Sequence, residues 1–135
     1  MQANTIRLIE DYYAAFNAGD MARFLDLLSD DVVHDINQCS RQTGKEAFAA
    51  FMSKMNECYR EKLEDIVVMA NKDGSRAAAE FVVLGEYLAS DEGLPPADGQ
   101  SYQLAAGAFF EVRDGRIVRV TNYYNLGDWI AQVSN

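Results

Sequence analysis

The chain has 135 residues, 49% of them hydrophobic, and its 21 acidic against 12 basic side chains give a net charge of −9. That length suits one domain over residues 1–135 with a single core, and so acidic a surface repels phosphate backbones and anionic lipid, which argues against nucleic-acid and membrane-surface partners. No apolar run approaches the roughly 18 residues of a membrane span, and MQANTIRLIED lacks the basic-then-apolar pattern of a secretory signal, so the cytoplasm is the expected location.

Ile6, Leu8, Ile9, Tyr12, Tyr13 and Phe16 fall on one arc of a helical wheel, with Arg7, Glu10, Asp11 and Asn17 opposite. This predicts a first helix from about Thr5 to Asn17, capped by Asn4 or Thr5 and ended by Gly19. Asp20 caps a second, short helix whose buried side is Phe24, Leu25, Leu27 and Leu28. Next comes SDDVVHDINQCSRQTGKEAFAA at 29–50, read as a short strand, a polar loop and the start of a helix. His34, Asp35 and Asn37 interrupt the apolar Val32, Val33 and Ile36, although burying a charge without a partner is costly. On an extended chain His34 and Asp35 point to opposite faces, so one of them faces inwards. It is either a satisfied structural group or the chemical centre of a pocket. Gly44 then precedes a third helix with the stripe Phe48, Phe51, Met52, Met55 and Cys58.

From Glu61 the period changes to two. Leu63 to Ala70 reads as a strand, Asn71-Lys72-Asp73-Gly74 as a turn, and Ala77, Ala79, Phe81, Val83, Gly85 and Tyr87 as the inner side of the next strand. Small residues there leave room rather than fill it. Ser90 to Ser101 is a loop, either a plain hairpin connection or a lid. Leu104, Ala106, Ala108, Phe110 and Val112 alternate along a further strand. A three-residue Arg113-Asp114-Gly115 loop joins it to Val118 and Val120, a register that continues to Asn122 and Tyr124 on the inner face. Leu126 to Val133 forms a short closing helix. Helices followed by antiparallel strands indicate an α+β fold, with three N-terminal helices packed on one face of a curved antiparallel sheet. A single histidine and two cysteines, Cys39 and Cys58, make neither a disulfide framework nor a histidine-rich metal site, so no metal or cofactor is expected. Cys58 reads as core, and Cys39 as a bystander or a reactive thiol in the polar loop.

This order of elements, with YYAAFNAGD at 12–20, LLSDDVV at 27–33, TGKEAFAAF at 43–51 and EVRDGRIVRV at 111–120, resembles ketosteroid isomerase and the SnoaL-like polyketide cyclases. These families share the nuclear-transport-factor-two-like fold, and the resemblance implies that the sheet is cone-shaped and encloses an apolar cavity. The resemblance places Tyr12 at the isomerase's oxyanion-hole tyrosine and Asp35 at its general-base aspartate, while its protonated second aspartate falls on Ala108. Asn122 is the expected substitute donor. The resemblance implies cofactor-free acid/base chemistry next to a carbonyl of a small hydrophobic molecule, as an isomerase or a cyclase. The alternative is a non-catalytic binding or dimerisation module of the same fold, which Ala108 favours. Epoxide hydrolysis is disfavoured because its Asp-Arg-Asp arrangement has no evident counterpart here.

Tyr12 and Asp35 are therefore expected to share one cavity, with desolvation raising the Asp35 pKa. His34, Tyr87, Ala108, Phe110, Val120, Asn122 and Tyr124 are expected to bind substrate. The outer face of the last hairpin, with Phe109, Ile117, Thr121 and Tyr123, is apolar enough to predict a homodimer through it.

Overall fold

The structure, a computed structural model, describes residues 1–37 and 40–134; Cys39 of the polar loop lies outside the described residues. Among the described residues the order is α1 (Gln2–Ala18), α2 (Met21–Asp26), β1 (Leu28–Asp35), β2 (Arg41–Thr43), α3 (Lys45–Cys58), β3 (Tyr59–Ala70), β4 (Arg76–Tyr87), β5 (Gln100–Arg113), β6 (Arg116–Tyr124) and α4 (Leu126–Val133). The fold is α+β. The strands make a curved, unclosed sheet in the order β2-β1-β6-β5-β4-β3. Its pairs are antiparallel except β1 with β6, which runs parallel. No hairpin turn joins those two strands, since β2, α3 and the β3–β5 meander lie between them in the chain, so no turn imposes the antiparallel sense.

The helices form close to where the apolar arcs predict, although α1 begins at Gln2 after Met1 with no side-chain cap, so Asn4 and Thr5 lie inside it and do not cap it. α1 buries Ile9, Tyr12, Tyr13 and Ala15, and Gly19 ends it in the left-handed conformation (φ 70°) with its N–H returned to the last turn. Asp20 caps α2 by accepting from the Arg23 amide at 3.1 Å. Two polar side chains tie α1 to the sheet edge. Thr5 Oγ1 donates to the Gly74 carbonyl at 2.6 Å, and the Asn17 amide both donates to and accepts from the Leu63 backbone at 2.9 Å. Asn17 lies on the polar side of the wheel, yet it clamps β3.

The core lies between the concave face of the sheet and α1–α3. Phe24, Phe48 and Phe110 are at most 1% exposed there, each stabilising the fold by about 1.5–3 kcal/mol through burial. Along β4 the odd positions 77–87 are all buried, as the alternation predicts.

Two strands change parity part-way. In β3 the register shifts between Glu64 and Val67 around Asp65 (φ 54°), so Tyr59, Glu61 and Leu63 face inwards above the bulge, and Ile66 and Val68 below it. In β6, Glu111 pairs with Arg119 and Val112 with Ile117, which leaves Val118 as the extra residue. Ile117 and Val120 are both fully buried as a result, and Ile117 belongs to the core instead of the outer face expected for it. The connection is also tighter than a three-residue loop. Arg113 pairs with Arg116 around Asp114 and Gly115, whose φ values of 52° and 75° are those of a two-residue type I′ turn. Phe109 and Tyr123 remain on the outer face, 50% and 56% exposed, with their rings edge to face at 5.7 Å.

Candidate functional site

A pocket of about 650 Å³ opens between the concave face and the helices. Tyr12 and Tyr13 of α1, Phe48 and Phe51 of α3, Leu94 of the β4–β5 loop and Trp129 of α4 contribute its walls. Ala106 and Gly107 of β5 leave the space open. The pocket is walled largely by aromatic and apolar side chains with polar groups set among them, the usual character of a small-molecule site.

The structure brings together only some of the residues read from the sequence. Tyr12, Asn122 and Tyr124 line the pocket. His34 lies directly behind its wall, stacked on the Phe48 ring at 4.0 Å and edge-on to Phe51 at 4.9 Å. Ala108, Phe110 and Val120 are at most 1% exposed and belong to the sealed core beneath the pocket, because the rings of Tyr12 and Tyr13 cover Phe110. Tyr87 anchors a loop: its hydroxyl donates to the Pro95 carbonyl at 2.6 Å and accepts from the Asp91 amide at 2.9 Å.

Asp35 does not share the cavity with Tyr12. The inward residue of the pair is His34, 2% exposed, so Asp35 turns to the outer face. There Arg41 grips its carboxylate through Nε at 2.6 Å and Nη2 at 3.1 Å, and Thr121 Oγ1 donates to it at 2.6 Å. The Arg41 hydrogen bond, helped by Thr121, draws the Asp35 pKa down to about 2, opposite in sign to the expected rise. Such a carboxylate holds too little affinity for a proton to act as a base near neutral pH.

On the inner side, Asn122 meets His34 Nε2 at 3.3 Å, while His34 Nδ1 is buried without a partner. Burial holds the imidazole down to about 4 against the opposing pull of Asp35, so His34 is neutral at physiological pH. Tyr13 carries a buried hydroxyl with no partner, and burial drives its pKa above the ordinary phenol value. Asn37 accepts from the Tyr124 amide at 3.0 Å but leaves its own Nδ2 unpaired. Tyr13 and Asn37 both line the pocket. Unpaired buried donors are costly in an unoccupied apolar site and useful when a ligand oxygen arrives.

Sequence reasoning missed Glu61. It stands on β3 facing the pocket, half-buried, with Tyr102 donating to its Oε2 at 2.5 Å. Burial raises its pKa above the ordinary carboxylate value, and the Tyr102 hydrogen bond offsets only part of that. Its neighbour Arg60 turns away to Glu86 at 3.0 Å. A carboxyl group in an apolar pocket with no cation against it is a functional-site signature. The signal lay in the alternation Tyr59, Glu61, Leu63, which puts a carboxylate among inward residues. Asp91, a second carboxylate of the wall, is neutralised by Lys54 at 3.3 Å and accepts from the Tyr59 hydroxyl at 2.8 Å. Among the described residues, no group of three or more His, Cys, Asp or Glu side chains is placed to hold a metal ion. No helix of these residues is long and apolar enough to cross a membrane.

The SnoaL-like domain family matches residues 9–120, and the chain belongs to that family. It is 68% identical to a candidate polyketide cyclase from Pseudomonas putida KT2440, covering 96% of this chain and 98% of that one with a TM-score of 0.96. A candidate polyketide cyclase from Xanthomonas campestris pv. campestris is 56% identical, with 98% of each chain covered and a TM-score of 0.95. An NTF2-like protein from Burkholderia xenovorans LB400, 15% identical with 99% of this chain and 98% of that one covered, shares the fold alone at a TM-score of 0.74. No curated protein matches the chain.

Proposed function

We propose that this member of the SnoaL-like family moves a proton next to a carbonyl of a small, largely apolar molecule, without a cofactor, as an isomerase or an aldol-type cyclase. One observation carries the reading: Glu61 presents a carboxyl of raised proton affinity to an aromatic pocket with no cation against it. A base is most effective when its pKa lies near the working pH, and burial moves a carboxylate in that direction. In the reaction Glu61 takes a proton from the carbon beside the carbonyl, and the electron pair moves onto the carbonyl oxygen. The enolate is then reprotonated at another carbon, or attacks a second carbonyl of the same molecule to close a ring. Tyr13, with its unpaired hydroxyl, and Asn122 are the donors that accept the developing negative charge. Tyr12 contributes wall, its ring stacked on Phe24 at 4.4 Å. The likeness to candidate polyketide cyclases supports a cyclisation within this class.

The test is solvent deuterium exchange, followed by NMR, on a panel of cyclic ketones. Exchange beside the carbonyl that Glu61→Gln abolishes and Asp35→Asn preserves supports the reading. Ketones that raise the melting temperature and never exchange point instead to a binding module. The same proposal pairs two copies through the outer face that carries Phe109 and Tyr123. A monomer by sedimentation at micromolar concentration would remove that part.

A further inference from the structure

Glu61, Gly85 and Tyr102 form one row across three strands. Glu61 pairs with Gly85 between β3 and β4, and Gly85 with Tyr102 between β4 and β5. In a sheet the middle residue of such a row ordinarily separates the outer two, because its side chain rises between theirs. Here the middle residue has no side chain. A Cβ at position 85 would overlap the Tyr102 ring at Cζ and crowd its hydroxyl oxygen. The ring therefore lies flat across β4 and delivers its hydroxyl to Glu61 Oε2 at 2.5 Å. Trp129 of α4 closes the row from above, edge to face with Tyr102 at a centroid distance of 5.9 Å. A carboxylate can only accept, so the Tyr102 hydroxyl spends its proton on Glu61.

We propose that Tyr102 is the positioning residue of Glu61, oriented by Trp129 and admitted by the missing side chain at Gly85, and that it holds one carboxyl oxygen so that the other faces the pocket. The second oxygen of Glu61 carries no hydrogen bond from any described residue, and Glu61 is part of the pocket wall. The inference rests on the assignment of Glu61 above but makes a separate claim, namely that a hydrogen bond from β5 orients its carboxyl and moderates the effect of burial. The other charged groups nearby are engaged elsewhere: Arg60 with Glu86, and Asp91 with Lys54 and Tyr59. Tyr102 is thus the ionisable side chain that touches Glu61. A hydroxyl donated to a carboxylate favours its charged form, so removing it raises the pKa further.

The measurement is an NMR pH titration of the Glu61 side-chain carboxyl in protein labelled with ¹³C at glutamate, the resonance being assigned by its loss in Glu61→Gln. Tyr102→Phe keeps the ring and is expected to move the midpoint upward by about one pH unit, roughly one neutral hydrogen bond. Trp129→Phe moves it the same way by less, and Gly85→Ala reproduces Tyr102→Phe without touching Glu61. A ring that merely covers glycine predicts an unmoved midpoint in Tyr102→Phe, and that result overturns the proposal. Because this variant removes a single oxygen, it decides the matter even where Gly85→Ala fails to fold. The titration uses no substrate. Absence of ketone exchange would therefore remove the base role of Glu61 while leaving the midpoint shift to stand or fall alone.

Discussion

The two faces of the sheet treat a carboxylate in opposite ways. On the outer face Asp35 joins a chain of charges running across five strands. Arg41 on β2 grips Asp35 on β1, Thr121 and Arg119 follow on β6, then Glu111 on β5 and Arg76 on β4. Each carboxylate there faces a guanidinium, and the pKa values of both Asp35 and Glu111 are lowered, chiefly by the hydrogen bonds from Arg41 and Arg119. On the inner face Glu61 meets a phenol across a glycine, and burial raises its pKa. Partnered charges favour stability, whereas a carboxyl without a counter-ion is kept at a cost to the fold and gains reactivity. The carboxyl of raised proton affinity therefore lies on the concave side.

That contrast breaks most sharply at Glu61→Gln. Exchange into a ketone is expected to fall by a factor on the order of 10² or more, while Asp35→Asn changes it less than about threefold; equal losses would dissolve the distinction. Glu61→Gln is also expected to raise the melting temperature at pH 7. A carboxyl whose folded pKa lies above its unfolded value binds its proton more tightly when folded, so ionisation weakens the fold as pH rises past the ordinary carboxylate range. The amide escapes that loss.

His34 gives the next largest effect. Its folded pKa of about 4 lies below the ordinary 6.5, so the unfolded chain takes up a proton first. Stability is expected to fall by up to about 3 kcal/mol as pH drops from 6.5 to 4. Imidazole resonances that titrate near 6.5 in the folded protein would contradict it. Asp35 gives the smallest. Its folded pKa of about 2 lies below the usual value, so its contribution is complete above pH 4 and is lost as pH falls towards 2. Partial exposure screens the pair, and Asp35→Asn should cost about 1 kcal/mol at pH 7 by urea denaturation, with most of that cost gone at pH 2.

Much of the fold was legible because local rules carried it. The apolar arc of α1, the Asp20 cap, the inward odd positions of β4 and the closing helix from Leu126 to Val133 each follow from a few adjacent residues. The order of those elements and the short segments quoted above sufficed for the family. The alternation rule also stated that one of His34 and Asp35 faces inwards, and it placed Asn122 on the inner face.

Which of the two turns inwards was beyond the local rule, because it depends on partners far away in the chain. Asp35 is held outwards by Thr121, 86 residues on, and His34 is covered by Phe48 and Phe51 of α3. The bulges at Asp65 and Val118 are similarly hidden, since a single extra residue inverts the faces of everything beyond it. Glu61 is the extreme case. Its own strand says only that it points inwards, whereas its proton affinity depends on burial against other elements and on the Tyr102 hydrogen bond from β5. The framework was readable from the chain because it depends on the periodicity of neighbouring residues. Which carboxyl has its pKa raised and which lowered came with folding, because a pKa is a sum over surroundings assembled from distant segments.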